Sequence, residues 1–113
     1  MVEHIGILEE AENLIKIGHF EEAFDKFMAL ESGVYDANFL RPCQMALANQ
    51  LGLPQLKELS VALDKEVSRD NSYATFNYGC IKAHLKEIGL ARVLLMRASQ
   101  MGIAAAAEVL RKI

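Results

Sequence analysis

No tryptophan, two prolines and two cysteines occur in 113 residues, and each scarcity removes a class of protein. Cys43 and Cys80 belong to no C-x-x-C pair. Small disulfide-stabilised domains use several bridges and a secreted setting, so no disulfide framework is expected. The two thiols read as reduced core residues, since cysteine packs as a small apolar side chain. A regulatory thiol or crosslink is the alternative. With so little proline and only seven glycines, long helices are permitted. No apolar run approaches the ~20 residues that a membrane span needs. Glu3, Glu9, Glu10 and Glu12 stand where a secretory signal would carry positive charge and then an apolar core, so a cytoplasmic location is expected.

The usual signatures of catalysis are also missing. His4, His19 and His84 are scattered, with no serine, cysteine or carboxylate at motif spacing. Neither C-x2-C nor H-x3-H occurs, so no zinc site is expected. There is no G-x-x-x-x-G-K-[ST] phosphate loop and no G-x-G-x-x-G turn, which removes nucleotide binding by those routes. Glu9-Glu10 and Glu21-Glu22 are adjacent on helices, point in different directions and cannot act as a catalytic dyad. The expectation is a protein without enzymatic activity, cofactor or metal.

Apolar residues make up 52% of the chain and charged residues 24%, the composition of one globular domain. The charge is uneven. Residues 1–40 hold nine acids against Lys16 and Lys26, whereas residues 41–113 hold ten bases against six acids. Such asymmetry can steer a charged partner or bring copies together head to tail, although uneven solvated helix faces would look the same. Arg92, Arg97, Arg111 and Lys112 could contact phosphates, but the acidic total of −3 makes nucleic acid an unlikely partner.

Apolar periodicity predicts seven helices and no strand. The first covers residues 3–17, with Ile7, Leu8, Ala11, Leu14 and Ile15 at helical spacing and Gly18 as its stop. The second covers residues 20–31, its core face formed by Phe20, Ala23, Phe24, Phe27 and Leu30, with Ser32-Gly33 ending it. Asp36 or Asn38 should cap the third, which runs to Leu51-Gly52; Pro42 must fall in its first turn, because a mid-helix proline costs about 3 kcal/mol or more. Pro54 opens the fourth helix, and Asn71 or Ser72 caps the fifth, which extends to Gly89. Leu90 begins the sixth, Gly102 ends it, and residues 103–112 close the chain. Phe20, Phe24 and Phe27 are core candidates. Tyr35 and Phe39 are candidate exposed anchors, and Tyr73 and Phe76 raise the same question. Methionines such as Met96 and Met101 are expected mainly inside. The Ala104 to Ala107 run could pack on another copy.

Two segments echo one another. Ala29-x3-Gly33-x3-Ala37, leading to Leu40, recurs 69 residues on as Ala98-x3-Gly102-x3-Ala106, leading to Leu110. Gly18 and Gly52 are 34 residues apart, each after a helical run. Periods of this length mark stacked helical hairpins. Ala74-x3-Tyr78-Gly79, Gly89-x-Ala91-x2-Leu94 and Ala98-Ser99-x2-Gly102-x3-Ala106-x3-Leu110 resemble the tetratricopeptide superfamily, and closest its Sel-one-like branch. Ala11-x2-Leu14-x3-Gly18-x4-Ala23-x3-Phe27 resembles an ordinary tetratricopeptide unit. The middle unit departs from the pattern, with Lys57 at the position of the expected alanine.

The resemblance implies an all-α, right-handed stack of about three antiparallel hairpins: units 3–33, 36–68 and 72–101, with a cap at 103–113. It also implies a non-enzymatic scaffold, adaptor or chaperone-like holder that binds an apolar or helical partner segment in a concave groove. Groove candidates in that register are Glu12, Ile15, Asn49 and Lys86, with Tyr35 and Phe39 as anchors. The pattern does not fit a lysine, arginine and asparagine clamp for a partner's carboxylate. A self-assembling subunit is the second expectation, and an RNA-binding helical-hairpin protein a third.

Overall fold

The computed structural model describes residues 2–31 and 37–113, and side chains from residue 5 to 30 and from 37 onward. Among these residues there are seven α-helices and no strand: α1 (Val2–Lys16), α2 (Phe20–Glu31), α3 (Leu40–Leu47), α4 (Leu53–Ser68), α5 (Ser72–His84), α6 (Ile88–Gln100) and α7 (Ala104–Lys112). The molecule measures 37 × 26 × 21 Å. Tyr35, Asp36 and the Ser32-Gly33 stop lie outside the described residues.

One turn is used five times. Gly18, Asn49, Asp70, Lys86 and Gly102 all have positive φ, between 60° and 102°. In each case the left-handed residue donates its N–H three residues back, and the next residue donates five back. His19 N–H reaches the Leu14 carbonyl at 2.8 Å, and Ile103 N–H reaches that of Ala98 at 3.0 Å. This pattern satisfies the carbonyls that a helix end leaves bare. The next helix starts two residues after the left-handed one in four of the turns, and four residues after Asn49 in the other.

Only two of the five positions are glycine, so glycine spacing misplaces two boundaries. α3 ends at Leu47 because Asn49, not Gly52, takes the left-handed conformation. Gly52 is extended, at φ −80° and ψ 174°, and is the N-cap of α4, with Pro54 in the first turn. Gly89 does not end α5: it lies in the first turn of α6, and α5 stops at His84. Asn38 does not cap α3 either. Phe39 holds the N-cap position at φ 53°, with no side-chain hydrogen bond. Pro42 falls in the first turn as required. Asn71 caps α5, its Oδ1 accepting from Ala74 N–H at 3.1 Å.

Packing follows the sequence neighbours at both ends: α1 lies on α2, α5 on α6, and α6 on α7. In the middle, α5 touches both α3 and α4, which meet each other only slightly. Side-chain size accounts for this. The fully buried i, i+4 pairs are Ala23 and Phe27 in α2, Ala91 and Leu95 in α6, but Leu59 and Leu63 in α4. Alanine lets a helix approach its partner closely, whereas leucine holds it off. The phenylalanines Phe24 and Phe27 are buried as expected, and Ala98 and Ala106 are completely enclosed between α6 and α7.

The tightest approach is at Gly79 on α5. A Cβ there would lie 2.8 Å from Leu95 Cγ and 3.3 Å from Leu94 Cβ on α6. A Cβ at Gly89 would project into open space, with no atom outside its own helix turn within 4 Å. Alanine gains about 0.5–1 kcal/mol over glycine in a helix, while overpacking costs about 1–3 kcal/mol. Gly79→Ala should therefore lower the thermal midpoint and Gly89→Ala raise it, read by circular dichroism.

The turn makes an independent prediction. Gly102→Val places a β-branched residue at φ 102° and should cost roughly 1–2 kcal/mol. Lys86→Gly removes strain at φ 66° and should gain about 0.5 kcal/mol after the extra freedom of the unfolded chain is subtracted. Urea midpoints moving in the same direction in both variants would contradict the shared turn geometry.

Candidate partner-binding surface

The polar candidates Glu12 and Asn49 are engaged inside the molecule. Glu12 on α1 receives two hydrogen bonds from Arg41 on α3, from Nε and Nη2, each 2.7 Å. The guanidinium also sits over the Phe27 ring, 5.9 Å from its centroid. This fork joins the first hairpin to α3. Asn49 Oδ1 lies 2.7 Å from His84 Nε2 and ties the α3–α4 turn to the end of α5. Ile15 packs against the main core. Lys86 is an exposed turn residue. Phe39, expected as an exposed anchor, is only 6% exposed and belongs to the core, because its left-handed backbone turns the ring inward beside α3. The five described candidates do not converge on one groove.

A different set of residues does converge. Leu40 at the start of α3, Tyr73, Phe76 and Asn77 in the first turns of α5, and Ile103 and Ala105 at the start of α7 line a groove of about 430 Å³, with Asn38 on its rim. Tyr73 is 58% exposed and Leu40 48%. Phe76 is half-buried and packs on the smaller core between α6 and α7. The local reasons are simple. Tyr73, Phe76 and Asn77 occupy i, i+3 and i+4, one face of a helix. Asn77 Nδ2 donates to the Asn38 carbonyl at 3.1 Å, and Asn71 Nδ2 donates to the Ala37 carbonyl at 3.3 Å. These two bonds fix the chain before α3 against α5 and hold Leu40 opposite Tyr73.

Tyr73 and Phe76 were legible as anchor candidates. Leu40, Asn77, Ile103 and Ala105 were not, since nothing in a linear pattern says that three helix starts will meet. Met96, expected inside, is 54% exposed on α6. Burial raises the Cys80 thiol above its ordinary value of 9.0, which keeps it protonated near neutral pH. Cys43 is fully enclosed. Among the described residues no three His, Cys, Asp or Glu side chains converge to hold a metal ion, and no helix is long and apolar enough to cross a membrane.

Compared with known proteins, the chain matches no family model, no curated protein and no solved structure.

The Arg41 fork generates a pH prediction. Its hydrogen bonds hold the Glu12 carboxyl below the ordinary value of 4.5, against a smaller opposing effect of burial. A lowered native pKa stabilises the fold above the unfolded value, and that contribution fades as pH falls through the native one. Both partners remain partly exposed, so Glu12→Gln should cost only about 0.2–1 kcal/mol at neutral pH. In acid titrations of stability, the gap between the variant and the native chain should close below pH 4.5.

Proposed function

We propose that this chain is a non-enzymatic interaction module, an adaptor or chaperone-like scaffold, that binds an apolar segment of another protein in the groove between α3, α5 and α7. The observation that carries this reading is the groove itself. Two large apolar side chains stand about half exposed across it, and Phe76 and Ile103 supply further apolar lining. Burying such groups gains about 25 cal/mol per Å². The volume of about 430 Å³ lies within the usual range of ligand sites. Asn38 and Asn77 add polar atoms to an otherwise carbon-rich lining, the mixture that fixes orientation while apolar contact supplies affinity.

The architecture in this proposal is a right-handed stack of helical hairpins of the tetratricopeptide kind, with α7 as its last helix. In support, α1 with α2 and α5 with α6 form hairpins closed by the same turn, and the repeat residues Ala11, Ala23, Ala91, Ala98 and Ala106 are all fully buried. In such a stack α3, α5 and α7 belong to one layer, so a groove across their starts is where a partner segment would lie.

Peptide-display selection on the full chain tests the reading. Enriched peptides should share bulky apolar residues. Their affinity, read by fluorescence anisotropy, should fall at least tenfold in Tyr73→Glu. It should be unchanged in Val61→Glu, an equally exposed position on α4. Enrichment without an apolar consensus, or equal binding by both variants, would remove the groove as the site.

A further inference from the structure

A second surface, separate from the groove, carries complementary halves. On α6 the side chains Leu90, Val93 and Met96 recur every three residues and are 53%, 64% and 54% exposed. That helix has no acidic residue, and Arg92 and Arg97 flank the stripe. Arg92 uses Nη2 on the Ile113 carbonyl at 2.6 Å, and Arg97 uses Nη2 on Asp70 and the Val67 carbonyl. A guanidinium has five N–H donors, so both retain capacity for a further carboxylate. An unpartnered apolar helix face bordered by cations fits an apolar surface bordered by acids.

α1 presents one. Ile5, Leu8, Glu9, Glu12, Asn13 and Lys16 line a hollow of about 360 Å³. Ile5 is 58% exposed, and Glu9 makes no ion pair among the described residues. Glu21 and Asp25 on α2, which line a separate hollow beside Gly52 and Gln55, likewise make none, so the α1–α2 hairpin as a whole carries unpaired negative charge. We infer that the chain associates head to tail with a second copy of itself, the α6 stripe of one copy docking in the α1 hollow of the next. Val93 and Met96 would cover Ile5 and Leu8, the thioether adapting to the hollow. Arg92 would approach Glu9, and Lys16 at the other end of the hollow disfavours the reversed orientation.

The two surfaces differ, so the contact is heterologous and each copy keeps one free α6 face and one free α1 face. Repetition therefore builds open chains or a closed ring. The groove residues Leu40, Tyr73 and Ile103 take no part, so this inference and the proposed function stand or fall separately.

The test is sedimentation velocity of the full chain over a wide concentration range. The native chain should grow in mass with concentration. It should lose mass as salt rises from about 0.01 to about 1 M, which shortens the screening length from roughly 30 to 3 Å. Val93→Glu and Ile5→Glu, both at exposed positions and checked for helicity, should each remain monomeric. Mixed together they should form a dimer and nothing larger, because only one stripe and one hollow remain intact. A native chain that stays monomeric at all concentrations would overturn the inference. So would association that survives Val93→Glu. A mixture that stays monomeric while the native chain associates would overturn it as well, and association of Ile5→Glu alone, whose stripe is intact, would overturn it in favour of stripe-on-stripe pairing. Arg92→Glu should weaken association at least tenfold and regain it when mixed with Glu9→Arg.

Discussion

The fold depends on α5 being thin. This helix touches α3, α4 and α6 at once, and three helices can surround a fourth only if its side chains leave room. Ala74, Thr75 and Gly79 are buried on it, and the absent Cβ of Gly79 is what admits Leu95. Thr75 keeps its hydroxyl satisfied by donating to the Asn71 carbonyl at 2.8 Å, so no buried polar group is left without a partner there. Charge is kept off the helix until Lys82, where the ammonium reaches Glu87 at 3.1 Å and lies over the Tyr78 ring. A helix enclosed on most sides cannot carry a polar stripe.

Around that helix, polar side chains set the order of the neighbours. Asn71 and Asn77 hold the chain before α3, His84 meets the turn after α3, and Glu12 with Arg41 joins α1 to α3. Glu12 and Asn49 thereby serve as joints within the molecule. Their polar groups already join α1 to α3 and the turn after α3 to the end of α5. The apolar groove arises beside the asparagine contacts, where Leu40, Tyr73 and Ile103 stand at the starts of α3, α5 and α7. A helix start exposes side chains that the preceding turn cannot cover, and here the starts of α3 and α5 are held together by the asparagine contacts to Ala37 and Asn38.

The middle of the chain shows what happens when the small positions are lost. α4 buries Leu59 and Leu63, where α2 buries Ala23 with Phe27 and α6 buries Ala91 with Leu95. α4 consequently leans on α5 more than on α3. In the expected repeat register Lys57 already stood at the alanine position. The structural consequence was not legible there, because the alignment through Gly52 assumed that glycine marks the turn. The left-handed residue is Asn49, three positions earlier.

Local rules determined much of this protein from sequence alone. Apolar spacing gave seven helices, proline gave the starts of α3 and α4, Gly18 and Gly102 gave two stops, and the phenylalanines of α2 gave part of the core. Each of these is decided within one or two helical turns, where backbone sterics and side-chain period dominate. Asn49 and Asp70 follow the local tolerance of asparagine and aspartate for the left-handed conformation. Tertiary structure, by contrast, decided that Lys86 and Phe39 adopt it, that the Phe39 ring turns inward, and that Leu40, Tyr73 and Ile103 meet. Those outcomes depend on which helices touch, and long-range packing can impose a backbone strain of about 1–2 kcal/mol that no local preference predicts.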